Sequence, residues 1–247
     1  MEPQEFERYI GATFVDKALC YDVILHSSYE PIDLIFYMVL NALKEREIPY
    51  IIVDIMDQLS VLRNHLRLLG LKTDVIDSAK VVKLGGFIKT GNVVKRIEIG
   101  SDIGVWRKQL FITLEKHGEK DGFTINVGLE RLLKTMENNY IESELFFTLV
   151  GKMALQDPNG KGIVFINSSF LKKDIVLELI ELASRVFRVK ISGVLGSYKL
   201  IIRPIKSINF MELEEELVVD LKDLPGYLLR YGNIRRSESF GIEVTPE

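Results

Sequence analysis

The chain has 247 residues, of which 47% are hydrophobic and 27% charged, with a formal net charge of −3. That supports a large buried core and gives no general electrostatic reason to bind nucleic acid or an anionic membrane. The single cysteine, Cys20, excludes an internal disulfide and a cysteine metal cluster, and His26, His65 and His117 show no zinc spacing, so no metal or cofactor site is expected.

The elements read in chain order as follows. The start, Met1 to Glu7, is acidic and lacks the basic start and apolar run of a secretory signal. Tyr21 to His26 reads as a buried strand, and Ser27 to Glu30 as a polar turn. Pro31 suits the first position of a helix running to about Arg46. Tyr50 to Ile55 is a second buried strand, and Asp57 is placed to cap a helix that stops at Gly70. Short loops between these elements predict a parallel sheet, with the strands from Val23 and from Ile51 as parallel neighbours. Lys80 to Leu84 and the alternating Val93 to Ile99 flank the glycine-containing loop Gly85 to Asn92, and this reads as an antiparallel hairpin at one edge.

Helix is expected again from Ser101, as cap, to His117, followed by a strand over Phe123 to Val127. A helical stretch from Ile141 to Leu155 leads to the loop Gln156 to Gly160 and the strand Gly162 to Asn167. An amphipathic helix from Asp174 through Val186 precedes a closing hairpin of Phe187 to Ser192 and Tyr198 to Pro204. From Asn209 the character changes, with an acidic run at Met211 to Glu216 and later Arg230, Arg235 and Arg236. The organisation expected is one α/β domain over residues 1–247, with a core of about 21–207 and an extension over 208–247. Apolar runs such as Ile48 to Met56, interrupted by Asp54, are too short to span a bilayer, so a cytoplasmic protein is expected. Glutamine is scarce while isoleucine, lysine and glutamate are plentiful, as in hyperthermophiles.

This order of elements resembles the RecA/KaiC-like ATPase core over Tyr21 to Ser207. In more detail, Val23 to Ser28, Tyr50 to Asp57 and Phe123 to Leu133 resemble an uncharacterised family of hyperthermophilic archaea. The resemblance implies a mainly parallel sheet with helices on both faces and an antiparallel hairpin at an edge. It also implies a phosphate loop after the first strand, whose glycine amides and lysine hold phosphate. That place reads His26-Ser27-Ser28-Tyr29-Glu30-Pro31-Ile32-Asp33, without glycine or lysine and with two carboxylates at a helix N-terminus. A magnesium-positioning aspartate is expected at the end of the Phe123 strand. Asn126 and Gly128 stand there, and Glu130 matches only if the alignment slips. Gly160-Lys161-Gly162 precedes a strand instead of following one and reads as a turn.

Ligands of open parallel sheets bind beyond the carboxyl ends of the strands. Those ends carry Ser27, Ser28 and Tyr29; Asp54 and Asp57; Asn126 and Glu130; and Asn167, Ser168 and Ser169. They would line a polar crevice, although the same residue types cap helices and turns. Asp54 stands out because it interrupts an apolar strand, as a buried carboxylate bonded to amides or as a functional acid. His26 is either a general base or a satisfied core histidine, and no catalytic residue is assigned. Three functions stay open. The first is a catalytically inactive module acting through protein–protein contacts or self-association. The second is a small-molecule or nucleotide binder, or an enzyme, using the crevice without a phosphate loop. The third is a nucleic-acid accessory protein using Arg230, Arg235 and Arg236 with Tyr227 and Tyr231.

Overall fold

A computed structural model describes residues 3–19, 21–100, 102–152, 160–194 and 197–224. Among these residues nine strands form one sheet: β1 (Asp22–His26), β2 (Tyr50–Ile55), β3 (Lys80–Leu84), β4 (Asn92–Ile97), β5 (Phe123–Val127), β6 (Lys161–Asn167), β7 (Arg185–Val194), β8 (Ser197–Ser207) and β9 (Leu217–Asp220). Their spatial order is β4-β3-β2-β5-β6-β1-β7-β8-β9. The pairs from β4 through to β7 are parallel, while β7–β8 and β8–β9 are antiparallel.

Alternation along the strands makes two cores. Ile24, Ile52, Ile125 and Phe165 face one side of the sheet, and Leu25, Val53, Val82 and Val164 face the other. The first side is covered by α1 (Pro3–Gly11), α2 (Ile32–Glu45), α3 (Gln58–Leu68) and α4 (Asp74–Asp77). The second is covered by α5 (Ile103–His117), α6 (Leu129–Met136), α7 (Tyr140–Phe146) and α8 (Lys173–Leu182). The chain therefore covers one face before the other. Helix α2 is buried on nearly every side, from Leu34 to Leu43, because α1 packs over it.

Several sequence expectations are corrected. The strands from Val23 and from Ile51 are parallel but not neighbours, since β5 and β6 lie between them. A short βαβ connection sets direction, and the helix it contains leaves room for later strands to insert. β3 and β4 are parallel, with Lys80 opposite Asn92 and Leu84 opposite Ile97, and do not form an antiparallel hairpin. The loop from Gly85 to Gly91 carries the chain back along the edge without a helix, helped by positive φ at Gly85, Gly86 and Gly91. The antiparallel edge is the β7–β8 hairpin extended by β9, which lies in the stretch read as an extension.

Pro31 precedes the first residue of α2 instead of being it. Asp102 caps α5 by accepting from the Gly104 and Val105 amides, and Ser101 lies outside the described residues. Helix α8 ends at Leu182, because Arg185 and Val186 pair with Asp22 and Val23 as strand. Lys161 and Gly162 pair with Phe123 and Thr124 and so begin β6 instead of forming a turn. Helices α1 and α6 carried no reading from sequence. The segments 153–159 and 225–247, with Arg230, Arg235 and Arg236, lie outside the described residues. No helix among the described residues is long and apolar enough to cross a membrane.

The turn from β5 into α6 depends on Gly128, at φ 86°. A Cβ there would strike the Ile55 carbonyl oxygen and come within 2.8 Å of Gln58 Cβ. Gly128→Ala is expected to cost about 1–3 kcal/mol, read from the denaturant midpoint. A loss below a few tenths would show that this turn relaxes freely.

Candidate functional site

The carboxyl ends of the parallel strands carry two polar clusters. The first joins β2 and β3, where Asp54 and Lys83 are register partners. Lys83 Nζ donates to Asp54 Oδ2 and to Asp57 Oδ1, each at 2.6 Å, with the Lys83 and Asp54 side chains almost fully buried. Asp54 Oδ1 accepts the Leu59 amide at 2.9 Å and thereby anchors the start of α3. Asp57 occupies the N-cap position in a left-handed conformation without capping the helix. It turns the other way, accepting the Phe87 and Ile88 amides at 2.7 and 2.9 Å. The capping role expected of Asp57 thus falls to Asp54. A Cβ on Gly86 would strike the Asp57 carboxylate, so the loop needs a glycine there.

Burial lifts the Asp54 carboxyl above its ordinary value despite Lys83. For Asp57 burial also pushes upward, but Lys83 and the two loop amides outweigh it and hold the group low. The stability Asp57 confers is fully present above the ordinary value of 3.8 and is lost as pH falls through the lower folded value. Lys83 was missed from sequence. The available signal was a lysine inside the apolar run Val81 to Leu84, which a buried strand tolerates only with a charged partner.

The second cluster joins β1, β6 and α6. His26 and Asn167 are register partners. Asn167 Nδ2 donates to Ser28 Oγ at 2.9 Å, and its Oδ1 accepts the Ser169 amide at 3.1 Å. Ser168 Oγ donates to the His26 carbonyl at 2.9 Å. His26 Nδ1 lies 2.7 Å from the Ser27 carbonyl, which can only accept, so Nδ1 carries the proton. Burial pulls the imidazole below its ordinary value. Tyr29, at the tip of the turn, is exposed.

Glu130, in the first turn of α6, is buried, and its Oε2 has no hydrogen-bond partner among the described residues. Burial raises its carboxyl above the ordinary value, opposed by backbone amides, including that of Asn167, and by Arg131. Arg131 lies over the Phe170 ring at 4.0 Å. Of the crevice residues read from sequence, Ser28, Asn167 and Ser168 thus come together beside Ser27, and Asp54 joins a different cluster. Asn126 pairs in register with Val53 and Val164, whose side chains face the second core, and so lies on the opposite face from Asp54 and Asn167. No group of three or more His, Cys, Asp or Glu among the described residues could hold a metal ion.

Four amides of the turn between β1 and α2, those of Ser27, Tyr29, Ile32 and Leu34, are bonded within it. Ser27 N–H donates to a Glu30 carboxylate oxygen, and Tyr29 N–H donates to Ser27 Oγ at 3.2 Å. Ile32 N–H donates to the Glu30 carbonyl at 2.8 Å, and Leu34 N–H to Asp33 Oδ1 at 3.0 Å.

A mainly parallel sheet, covered on both faces and closed by antiparallel edge strands, is the RecA/KaiC-like fold, and solved structures match it. A protein from Pyrococcus horikoshii OT3, described as a structural study of PH0250, superposes with a TM-score of 0.69 at 18% identity, over 88% of this chain and 98% of its own. The flagellar accessory protein FlaH of Methanocaldococcus jannaschii gives 0.53 at 10% identity, over 88% and 91%. The KaiC-like protein PH0186 of Pyrococcus horikoshii OT3 gives 0.56 at 9%, over 82% and 90%. No curated protein matches the chain. The chain belongs to the family described as Pyrococcus protein of unknown function, DUF257, which matches residues 21–218.

Proposed function

We propose that this chain is a non-hydrolysing RecA/KaiC-like module that acts in the cytoplasm through protein–protein contacts or self-association. The observation that carries the reading is the turn after β1, whose Ser27 amide is bonded to the chain's own Glu30 carboxylate. A phosphate-binding turn needs amides converging on empty space and a cation beside them. Here the Ser27, Tyr29, Ile32 and Leu34 amides point to partners within the turn, and Glu30 and Asp33 put negative charge where the anion would sit. Lys83, on the same side of the sheet, is engaged by two carboxylates.

Calorimetric titration with Mg-ATP tests this reading. The expected result is no heat of binding, no hydrolysis, and a thermal midpoint unchanged by millimolar Mg-ATP. Micromolar binding that disappears in Ser28→Ala would overturn it.

One observation favours the second reading, a small-molecule site in the crevice: one buried carboxylate oxygen of Glu130 has no partner among the described residues, and the Asn167 amide lies at the same carboxyl group. A ligand that raises the thermal midpoint of the native chain but not of Glu130→Gln would establish it in place of the first.

A further inference from the structure

We infer that the protein associates head to tail, the basic and apolar margin beside β4 of one copy seating on the acidic and apolar margin beside β9 of the next. This rests on the self-association branch of the reading above. β4 and β9 are the outermost strands of the sheet, so the two margins lie at its opposite ends.

Beside β4, Phe87 is 86% and Ile88 53% exposed. The loop that carries them is pinned. Asp57 accepts both of their amides, and Arg96 lies 4.7 Å from the Phe87 ring centroid while donating to the Gly86 carbonyl. Two large apolar side chains are thus held outward in one arrangement, which lowers the ordering cost of docking. Every charged residue from Gly85 to Ile97 is a cation: Lys89, Lys95 and Arg96.

In the segment that joins β8 to β9, Phe210 is 78%, Met211 76% and Ile208 65% exposed. From Ile208 to Leu224 the carboxylates are Glu212, Glu214, Glu215, Glu216, Asp220 and Asp223, against one cation, Lys222. This segment is anchored too. Glu212 accepts from Arg185 and Ser207, and Glu215 pairs with Lys17 at 3.1 Å.

Each margin joins exposed apolar surface to a net charge: positive over Lys89, Lys95 and Arg96 against Glu98, and negative over Glu214, Glu216, Asp220 and Asp223 against Lys222, with Glu212 and Glu215 already paired to Arg185 and Lys17. A two-fold contact of either margin with itself would set like charges face to face, which costs several kcal/mol. A heterologous contact between the two margins brings opposite charges together and covers both apolar groups. Both halves of the interface are present in every copy.

Sedimentation of the full chain at low and high salt tests the proposal, with the variants Lys89→Glu/Lys95→Glu and Glu214→Lys/Glu216→Lys. All four positions are exposed, so circular dichroism should show both variants folded. The native chain is expected to associate with rising concentration, at least about tenfold more weakly at high than at low salt. Each variant alone should associate at least about tenfold more weakly than the native chain. Mixing the two should restore association, because each reversed margin then meets its complement. Native association that both variants leave untouched would refute these surfaces while leaving self-association standing, and a mixture that stays apart would refute the pairing. A native chain that stays monomeric at low salt would remove self-association itself and leave only the branch that acts on other proteins.

Discussion

Replacing Lys83 with methionine is expected to destabilise the protein by about 3–5 kcal/mol, because it leaves the buried Asp54 carboxylate without its cation. The Lys83 and Asp54 side chains are 3% and 0% exposed, so water cannot take over the role. Asp57 is less buried, at 19%, and keeps the Phe87 and Ile88 amides, so its loss is smaller. Asp54→Leu with Lys83→Met should recover part of the stability, since an apolar pair of similar volume has no desolvation penalty to offset, while the Leu59 amide and Asp57 still lose their partners. Urea unfolding of the two variants measures this. A loss under about 1 kcal/mol in the single variant would mean that Asp54 is neutral or solvated in the native state.

Arg185→Met is expected to cost a similar amount, about 3–5 kcal/mol, at the other end of the sheet. Arg185 and Asp22 are both fully buried and are register partners on β7 and β1. The guanidinium also donates to the Thr13 carbonyl at 2.9 Å and to Glu212. It therefore ties the helical turn after α1 and the segment before β9 to β1. Burial already raises the Asp22 carboxyl even with the arginine beside it. Without Arg185 that rise grows, and an acid whose folded pKa is raised gains stability as pH falls through it. The deficit of the variant should thus shrink as pH falls through the raised folded value toward the ordinary value of 3.8. A deficit that is small and flat with pH would show that Asp22 finds another partner.

Both charge pairs bear on how much of the protein is legible in its sequence. Asp54 stands out because it breaks an apolar run, and Lys83 breaks another, but nothing local couples positions on strands separated by a helix. Their pairing follows from β2–β3 register alone. The same holds for Asn126. Its place at the end of a strand is readable, but the face it takes depends on the parity of that strand within the sheet. Helix α6 went unread because Gly128, at positive φ, ends β5 and Leu129 starts the helix at once. Helix α1 is buried by contact with α2, which no local pattern announces.

The sequence by itself determined the βα alternation, the extents of β1, β2 and β5 to within about a residue, and the closing antiparallel hairpin. It also determined the absence of glycine and lysine from the turn after β1. These depend on periodicity and residue type over a few positions, where sterics and burial act locally. Only the tertiary structure decided that β5 and β6 separate β1 from β2, that β4 runs parallel to β3, and which charges meet. Strand order, direction and register are set by contacts between residues far apart in the chain. Those contacts are chosen by how the two apolar faces of the whole sheet are covered, a property that no short segment carries.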